Sequence, residues 1–371
     1  MSNSSTESRK FLIWVFLLTL VVFLRPLLKD YGQESFLVAD DGWMATLTVS
    51  LVEDADFDLK NQLNQDPSLA QGQIALGKNG EWFSIHNPLV SVVAIPFYLL
   101  LGVNGFLVMN YLLSSLGVLF TFCLGRRVAS REAALLATCL LTFSSVFGSY
   151  VYHFSIDVFG VTLLLSATLA LFSGRYSFAG FLWGASVLGR LANGITFPAV
   201  IAFFVFRYFA SKNKGMTGFS RFLLGGIPLF LLWAWGNYSM YGGAFETSYS
   251  RWGVLEGEGL VMMSQADLFR VPFFEGLYTL LFLPNSGVIL SAPIVILAFL
   301  FGVRGLCSHA PAEAAFFIGV WVLLLGFYSN LAHSTYSLDG NRFFMSAILL
   351  SVLPLSLAFE DAFRGAREKK P

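Results

Sequence analysis

Long apolar stretches constrain this chain more than any other feature of its sequence. The segment 105–124, GFLVMNYLLSSLGVLFTFCL, carries no charged residue. As a helix it is long enough to cross a hydrocarbon core about 30 Å thick. Only 12% of the 371 residues are charged, whereas soluble proteins have about a quarter. We therefore predict an all-α polytopic membrane protein. The net charge of zero gives no indication of nucleic-acid binding.

The apolar pattern predicts about ten transmembrane helices. Two further apolar segments, 88–103 and 272–283, contain proline and are predicted as amphipathic or re-entrant helices on one side of the membrane. The ten predicted spans are 11–28, 105–124, 133–151, 158–173, 177–189, 194–210, 222–238, 285–303, 313–330 and 342–359.

The distribution of basic residues predicts the orientation. With both termini in the cytoplasm, most of the 23 Lys and Arg residues lie inside, as the positive-inside rule requires, and most acidic residues lie outside. The chain then forms a single transmembrane unit, 1–371, with two long extracytoplasmic loops, 29–104 and 239–284. We expect the functional site on the extracytoplasmic side.

The first outer loop holds the densest group of acids. Asp40 and Asp41 precede an amphipathic stretch, 42–54, which we expect to rest on the membrane interface and to hold both acids at headgroup level, facing a cavity. An exposed helix cap or a solvated acidic loop is the alternative. Behind the stretch we expect a solvated turn made by Glu53, Asp54, Asp56 and Asp58.

Three ionisable residues lie at the outer ends of predicted spans. Asp157, in SYVYHFSIDVFG, is a functional candidate because of its depth, or else a cap of the next helix. Arg190 interrupts an apolar hairpin and needs an anion, either a carboxylate such as Asp157 or a lipid phosphate. Arg342 is suited to bidentate phosphate contact, although an arginine that reaches towards the headgroups would look the same.

Histidine and aromatic residues complete the candidate site. His86, before a proline, could contact a phosphate or a hydroxyl, or be an ordinary interfacial histidine. In the second outer loop, YGGAFETSYSRWG (241–253) offers aromatic faces that suit a sugar ring, although an interfacial aromatic belt has the same composition. The candidates for binding the acceptor or the sugar are Tyr249, Arg251, Trp252, His153 and His333.

The order of these pieces resembles the GT-C superfamily of membrane glycosyltransferases, which includes protein O-mannosyltransferases and lipid A aminoarabinose transferases. The resemblance covers about 10–360. It is carried by the Asp40–Asp41 pair after the first span, by DADFDL and YHFSIDV, and by YSLDGNRFF before the last span. It implies a GT-C-like helical bundle in a bacterial inner membrane. It also implies an enzyme that transfers a hexose or pentose from a polyprenyl-phosphate donor to a lipid, glycan or protein acceptor, with inversion.

The resemblance also implies roles for individual residues. Asp40 or Asp41 would act as the base towards the acceptor, Asp157 would be a second catalytic acid, and the donor phosphate would be held by Arg342, Arg190 and His86. A divalent cation, Mg²⁺ or Mn²⁺, could bridge Asp40, Asp41 and the phosphate. A partner subunit could supply acceptor recognition. A transporter or flippase, and a catalytically silent scaffold with this fold, are the alternatives.

Overall fold

The computed structural model describes residues 2–24, 40–65, 74–210, 212–256, 259–264, 268–284, 287–331 and 342–368, and most of them are helical. Short 3-10 turns occur at Leu191–Thr196, Ser248–Arg251 and Arg342–Phe344, and a π-helical turn occurs at Ala298–Gly302. The α-helices are α1 (Ser2–Leu24), α2 (Asp40–Glu53), α3 (Lys60–Gln65), α4 (Leu89–Leu101), α5 (Asn104–Gly125), α6 (Arg131–Phe143), α7 (Val146–Tyr150), α8 (Ile156–Phe172), α9 (Tyr176–Gly189), α10 (Phe197–Ala210), α11 (Lys212–Tyr241), α12 (Phe273–Phe282), α13 (Val288–Ser291), α14 (Ile294–Leu297), α15 (Val303–His309), α16 (Pro311–Tyr328), α17 (Met345–Leu350) and α18 (Val352–Glu368).

The helices agree with a membrane-spanning bundle. Among the described residues, four helical segments are long and apolar enough to cross a membrane, and the pair formed by Arg342–Leu350 and Val352–Gly365, bent by 42°, would make a fifth. Each of the ten predicted spans contains helix, but several of these helices are shorter than a full span, so the count of ten stays a prediction. The four segments are Asn104–Gly125, Leu191–Ala210, Gly215–Tyr241 and Pro311–Tyr328.

Aromatic side chains join the central helices. Phe172 on α8 stacks on Phe203 of α10, with ring centroids 5.4 Å apart, and meets the edge of Phe316 on α16 at 5.6 Å. All three side chains are buried. Aromatic pairs at these distances add to the stabilisation that burial provides. This contact fixes the helices that carry the candidate site relative to one another.

A small antiparallel sheet connects the two predicted outer loops. Its strands are β1 (Ile74–Leu76), β2 (Trp82–Ser84), β3 (Trp252–Glu256) and β4 (Gly259–Met262), in the order β2-β1-β3-β4. The central pairing brings β1 of the first loop beside β3 of the second. The all-α prediction was therefore wrong in this respect. The Asn79-Gly80 step between β1 and β2, where Gly80 has a φ of +89°, is a turn signal that accompanies hairpins.

The helix that begins with the acidic pair packs inside the protein. The side chains of Trp43, Met44 and Leu47 on α2 are buried, and so are its hydroxyl residues Thr48 and Ser50. Met44 and Leu47 therefore face protein, including α4, whereas Val49, Leu51 and Val52 are half-buried. The position of α2 at the membrane interface stays a prediction. Of the predicted acidic turn, Asp54 and Asp56 follow α2 and are exposed, whereas Glu53 is the last residue of α2 and Asp58 is half-buried.

Candidate functional site

Asp157 lies at the first turn of α8 and is 2% exposed. The cap of this helix is Ser155, whose hydroxyl accepts a hydrogen bond from the backbone N–H of Asp157 at 3.2 Å. Capping is therefore the role of Ser155. The Asp157 carboxylate instead faces two cations.

Two arginines converge on this carboxylate from different parts of the chain. Arg190 Nη1 lies 2.8 Å from Asp157 Oδ1, and Arg342 Nε lies 3.6 Å from Asp157 Oδ2. Arg190 is buried, whereas the Arg342 side chain is 27% exposed. The pairing of Arg190 with a carboxylate, one of the two predicted alternatives, is thus present. We call Asp157, Arg190 and Arg342 the ion cluster. Its formal charges sum to one positive charge.

The local backbone holds Arg190 against α8. α9 ends at Gly189, and Arg190 adopts an extended conformation before the next 3-10 turn. The Asn193 side chain donates hydrogen bonds to the carbonyl of Gly160 at 3.0 Å and of Ser186 at 3.2 Å. Gly160 allows this close approach, because a Cβ there would lie 2.8 Å from Arg190 Cβ. The position of Arg190 is therefore determined by two neighbouring helices.

Aromatic rings extend the ion cluster. Arg190 Nη2 donates to the hydroxyl of Tyr328 at 3.5 Å, and Tyr328 stacks on Phe343 with centroids 4.7 Å apart. The guanidinium carbons of Arg190 and Arg342 each lie 5.5 Å from the centre of the Phe343 ring. Cations at this distance from an aromatic ring are attracted by its quadrupole. The cluster is thus held by charge and by ring contacts together.

The ion cluster lines a cavity of about 1090 Å³. This volume slightly exceeds the usual range of ligand pockets, which combine apolar walls with a few polar groups. The apolar wall includes Ile195, Phe197, Pro198, Leu323, Phe327 and Leu331, and the polar side chains besides the cluster include His86, Asn87, Thr247, Tyr249 and Tyr328. The arrangement can accept an anion joined to an apolar chain.

A second ionisable pair lies beside the cavity. Asp41, on α2, is 6% exposed, and its Oδ2 lies 3.3 Å from Nδ1 of His153, whose side chain is 33% exposed. The His153 ring lies 5.3 Å from the ring of Tyr150, which lines the cavity. Asn110 donates to the carbonyls of residues 150 and 151 and so fixes this turn. The pair offers a base near the cavity.

The structure brings together some predicted site residues and separates others. His86, Tyr249 and Trp252 line the cavity with the ion cluster. Arg251 does not, because its Nη2 pairs with Glu246 Oε2 at 2.7 Å. His333 and the Asp40 side chain lie outside the described residues. Four further residues of the cavity wall were not predicted, namely Asn87, Thr247, Tyr328 and Phe343. The place of Asn87 directly after His86 is a signal for it, but Tyr328 stands in an apolar run.

Metal binding stays a prediction. In the part of the chain that the structure describes, no group of three or more His, Cys, Asp or Glu residues could hold a metal ion. Both Asp157 oxygens face arginines. Asp41 and His153 provide an oxygen and a nitrogen, which is an incomplete ligand set for Mg²⁺ or Mn²⁺.

Comparison with known proteins identifies the fold. The sequence matches no protein-family model and no curated protein. The structure is similar to ArnT from Cupriavidus metallidurans bound to undecaprenyl phosphate, with a TM-score of 0.59 and 13% identity, covering 95% of this chain and 60% of that one. ArnT from the same organism in the apo state is similar with a TM-score of 0.53 and 13% identity, covering 98% of this chain and 62% of that one.

A second protein has a similar structure. The archaeal oligosaccharyltransferase AglB from Archaeoglobus fulgidus, in complex with an inhibitory peptide and a dolichol-phosphate, matches with a TM-score of 0.58 and 14% identity, over 97% of this chain and 51% of that one. The chain thus spans about half to three-fifths of the length of these proteins. The resemblance to the GT-C superfamily is confirmed at the level of the fold.

Proposed function

We propose that this protein is a glycosyltransferase of the GT-C fold that moves a sugar from a polyprenyl-phosphate donor to an acceptor hydroxyl, with inversion at the sugar. The observation that carries the proposal is the ion cluster in the wall of the largely apolar cavity. The fold supports it, since similar structures hold undecaprenyl phosphate and dolichol-phosphate.

The charge of the cluster suits such a donor. A phosphate that links a sugar to a lipid carries one negative charge, which matches the net positive charge of Asp157, Arg190 and Arg342. When the sugar leaves, charge grows on the phosphate, and fixed cations stabilise that charge in a site shielded from water. In this proposal Asp157 holds the two guanidinium groups in position. Apolar walls at Phe197, Leu323 and neighbouring residues suit the hydrocarbon chain.

Inversion requires a base on the side of the sugar opposite the leaving phosphate. We assign this function to the Asp41–His153 pair, which takes the proton as the acceptor oxygen bonds to the anomeric carbon and the bond from that carbon to the phosphate oxygen breaks. His153 and Asp157 flank the Ser155 cap, so one short segment carries both groups.

We propose that this chemistry occurs at the extracytoplasmic face of a bacterial inner membrane, with both termini cytoplasmic. The pairing of β1 with β3 supports a common side for the two long loops, 29–104 and 239–284. Strands that share hydrogen bonds cannot lie on opposite sides of a membrane.

The test measures binding of undecaprenyl phosphate to the purified protein by native mass spectrometry. We expect Arg342→Gln to weaken binding roughly 10- to 100-fold, the loss of one charge-assisted contact. Arg304→Gln, at an exposed position on α15, is the matched control and should bind like the wild type. Unchanged binding by Arg342→Gln would contradict the proposal.

Transfer is followed separately, as release of undecaprenyl phosphate from undecaprenyl-phosphate-linked hexoses and pentoses in the presence of membrane acceptors. Release that depends on the acceptor supports the enzyme. Movement of a labelled donor across proteoliposomes without release would favour the flippase. Binding with neither reaction would favour the silent scaffold.

A further inference from the structure

Four polar side chains of the cavity lie on two loops that are far apart in sequence. His86 and Asn87 follow β2, and Thr247 and Tyr249 precede β3. We call Asn87, Thr247 and Tyr249 the polar wall. An amide and two hydroxyl groups can both donate and accept hydrogen bonds, which is what the hydroxyl and amide groups of a sugar require.

Ser248 joins the two loops at this point. It is 7% exposed, and its hydroxyl donates to the Ile85 carbonyl at 2.6 Å. The pairing of Ala75 with Trp252 fixes the same loops through the sheet. Ser248 stands between Thr247 and Tyr249, and Ile85 stands two residues before Asn87. The polar wall is therefore assembled before a ligand arrives, which reduces the entropic cost of binding.

The polar wall lies next to the ion cluster. Tyr249 is close enough to Arg190 for an electrostatic interaction, and both residues line the same cavity. A sugar joined directly to a phosphate at the cluster would therefore reach the wall. This inference rests on the proposed function.

We infer that the polar wall binds the donor sugar and that it selects an uncharged sugar over one that carries an amine. Its side chains are neutral, and Asp157, the carboxylate beside it, already faces two arginines. A cationic amine at this place would meet the guanidinium groups of Arg190 and Arg342 in a partly desolvated site. Like charges a few ångströms apart repel strongly in such surroundings.

A donor panel tests the class of sugar. The purified full-length protein receives undecaprenyl phosphate linked to a neutral hexose, a neutral pentose or a pentose with a primary amine, at pH 7. We expect kcat/KM to be at least ~100-fold higher for one of the neutral donors than for the amine donor, as rejection by an unpaired buried charge predicts. Equal or faster use of the amine donor would overturn the inference while leaving the proposed function intact.

Variants of the wall test the site. Thr247→Val and Asn87→Leu keep the size of each side chain and remove its hydrogen bonds. Each should raise KM for the preferred donor by roughly 10-fold, with binding of undecaprenyl phosphate unchanged. Thr279→Val, on α12 and outside the cavity lining, is the control and should behave like the wild type.

The two variants of the polar wall lie on different loops. If one of them fails to fold, the other can still test whether the wall binds the sugar. If neither variant alters KM or donor preference, the wall does not bind the sugar. If the wild type uses no donor and does not bind undecaprenyl phosphate, the proposed function fails and the inference fails with it.

Discussion

Arg190 and Asp157 form an ion pair in which both side chains are at least nine-tenths buried and the charged atoms lie 2.8 Å apart. The two residues come from different helices, since Asp157 begins α8 and Arg190 follows α9. Ion pairs in such places are costly to desolvate and are retained where charge is needed. The pair therefore links the stability of the helix bundle to the function of the cavity.

Removal of one partner should destabilise the protein strongly. Asp157→Asn keeps the shape of the side chain but leaves the Arg190 charge buried without its carboxylate. This change should lower the free energy of unfolding by about 3–5 kcal/mol. Thermal unfolding in detergent measures the loss. The double variant Asp157→Leu with Arg190→Met should regain most of the stability, because a well-packed apolar pair needs no charge compensation. It should still fail to bind undecaprenyl phosphate. A stable single variant would contradict this view of the pair.

Gly160 should be required for the placement of Arg190. In Gly160→Ala the new Cβ would lie 2.8 Å from Arg190 Cβ, so α8 and the turn after α9 must separate. Shifts near 1 Å at a catalytic site can cost about 100-fold in rate. We expect a loss of this order in transfer. Gly236→Ala, on α11, meets no atom within 4 Å and is the control. Equal rates for the two variants would mean that the contact has no functional consequence.

The sequence allowed prediction of the helices and of part of the site. Spans are recognisable because long apolar runs have few alternatives in lipid. Arg190 was recognisable because a cation at that depth needs an anion, and Asp157 was one of the two predicted partners, the other being a lipid phosphate. The position of Tyr328 could not be predicted, since a tyrosine in an apolar run looks like any membrane residue until Arg190 is placed beside it.

The sheet and the burial of α2 could not be predicted for a different reason. β1 has three residues, too few for an alternating pattern, and its partner β3 lies in the other loop. On α2, the hydroxyl of Thr48 and that of Ser91 on α4 both donate to the Met44 carbonyl, at 2.8 and 2.9 Å. Polar residues that form such hydrogen bonds can be buried, but the sequence alone does not show which groups will be their partners.

Asp41 should be needed for transfer and not for donor binding. Asp41→Asn removes the carboxylate that faces His153 and should lower kcat by roughly 10²- to 10⁴-fold, as loss of general-base catalysis does. The affinity for undecaprenyl phosphate should stay the same. Asp54→Asn, in the exposed turn after α2, is the control. Full activity of Asp41→Asn would show that the base is elsewhere.

Asp58 should stabilise the first loop. Its Oδ1 accepts from the backbone N–H of Trp82 at 2.9 Å and of Lys60 at 3.2 Å, so it joins β2 to the start of α3. Asp58→Ala would leave these donors without their carboxylate, at a cost of about 1–3 kcal/mol. Asp54→Ala should cost much less, because Asp54 and its partner Asn61 are exposed. Differential scanning fluorimetry compares the two, and equal melting temperatures would argue against a structural role for Asp58.

The pairing of the two loops can be tested by a disulfide between Ile74 on β1 and Gly253 on β3, which are register partners. Opposed residues in antiparallel strands have Cα atoms about 4.5–5.5 Å apart, within the range of disulfides. In a background with Cys123, Cys139 and Cys307 changed to serine, Ile74→Cys with Gly253→Cys should cross-link in the cell envelope. After cleavage at a protease site inserted at position 211, the two fragments should separate only with reductant.

Ala75→Cys with Gly253→Cys is the control, because neighbouring strand residues face opposite sides of the sheet. Cross-linking of the control but not of the register pair would contradict the pairing of the loops.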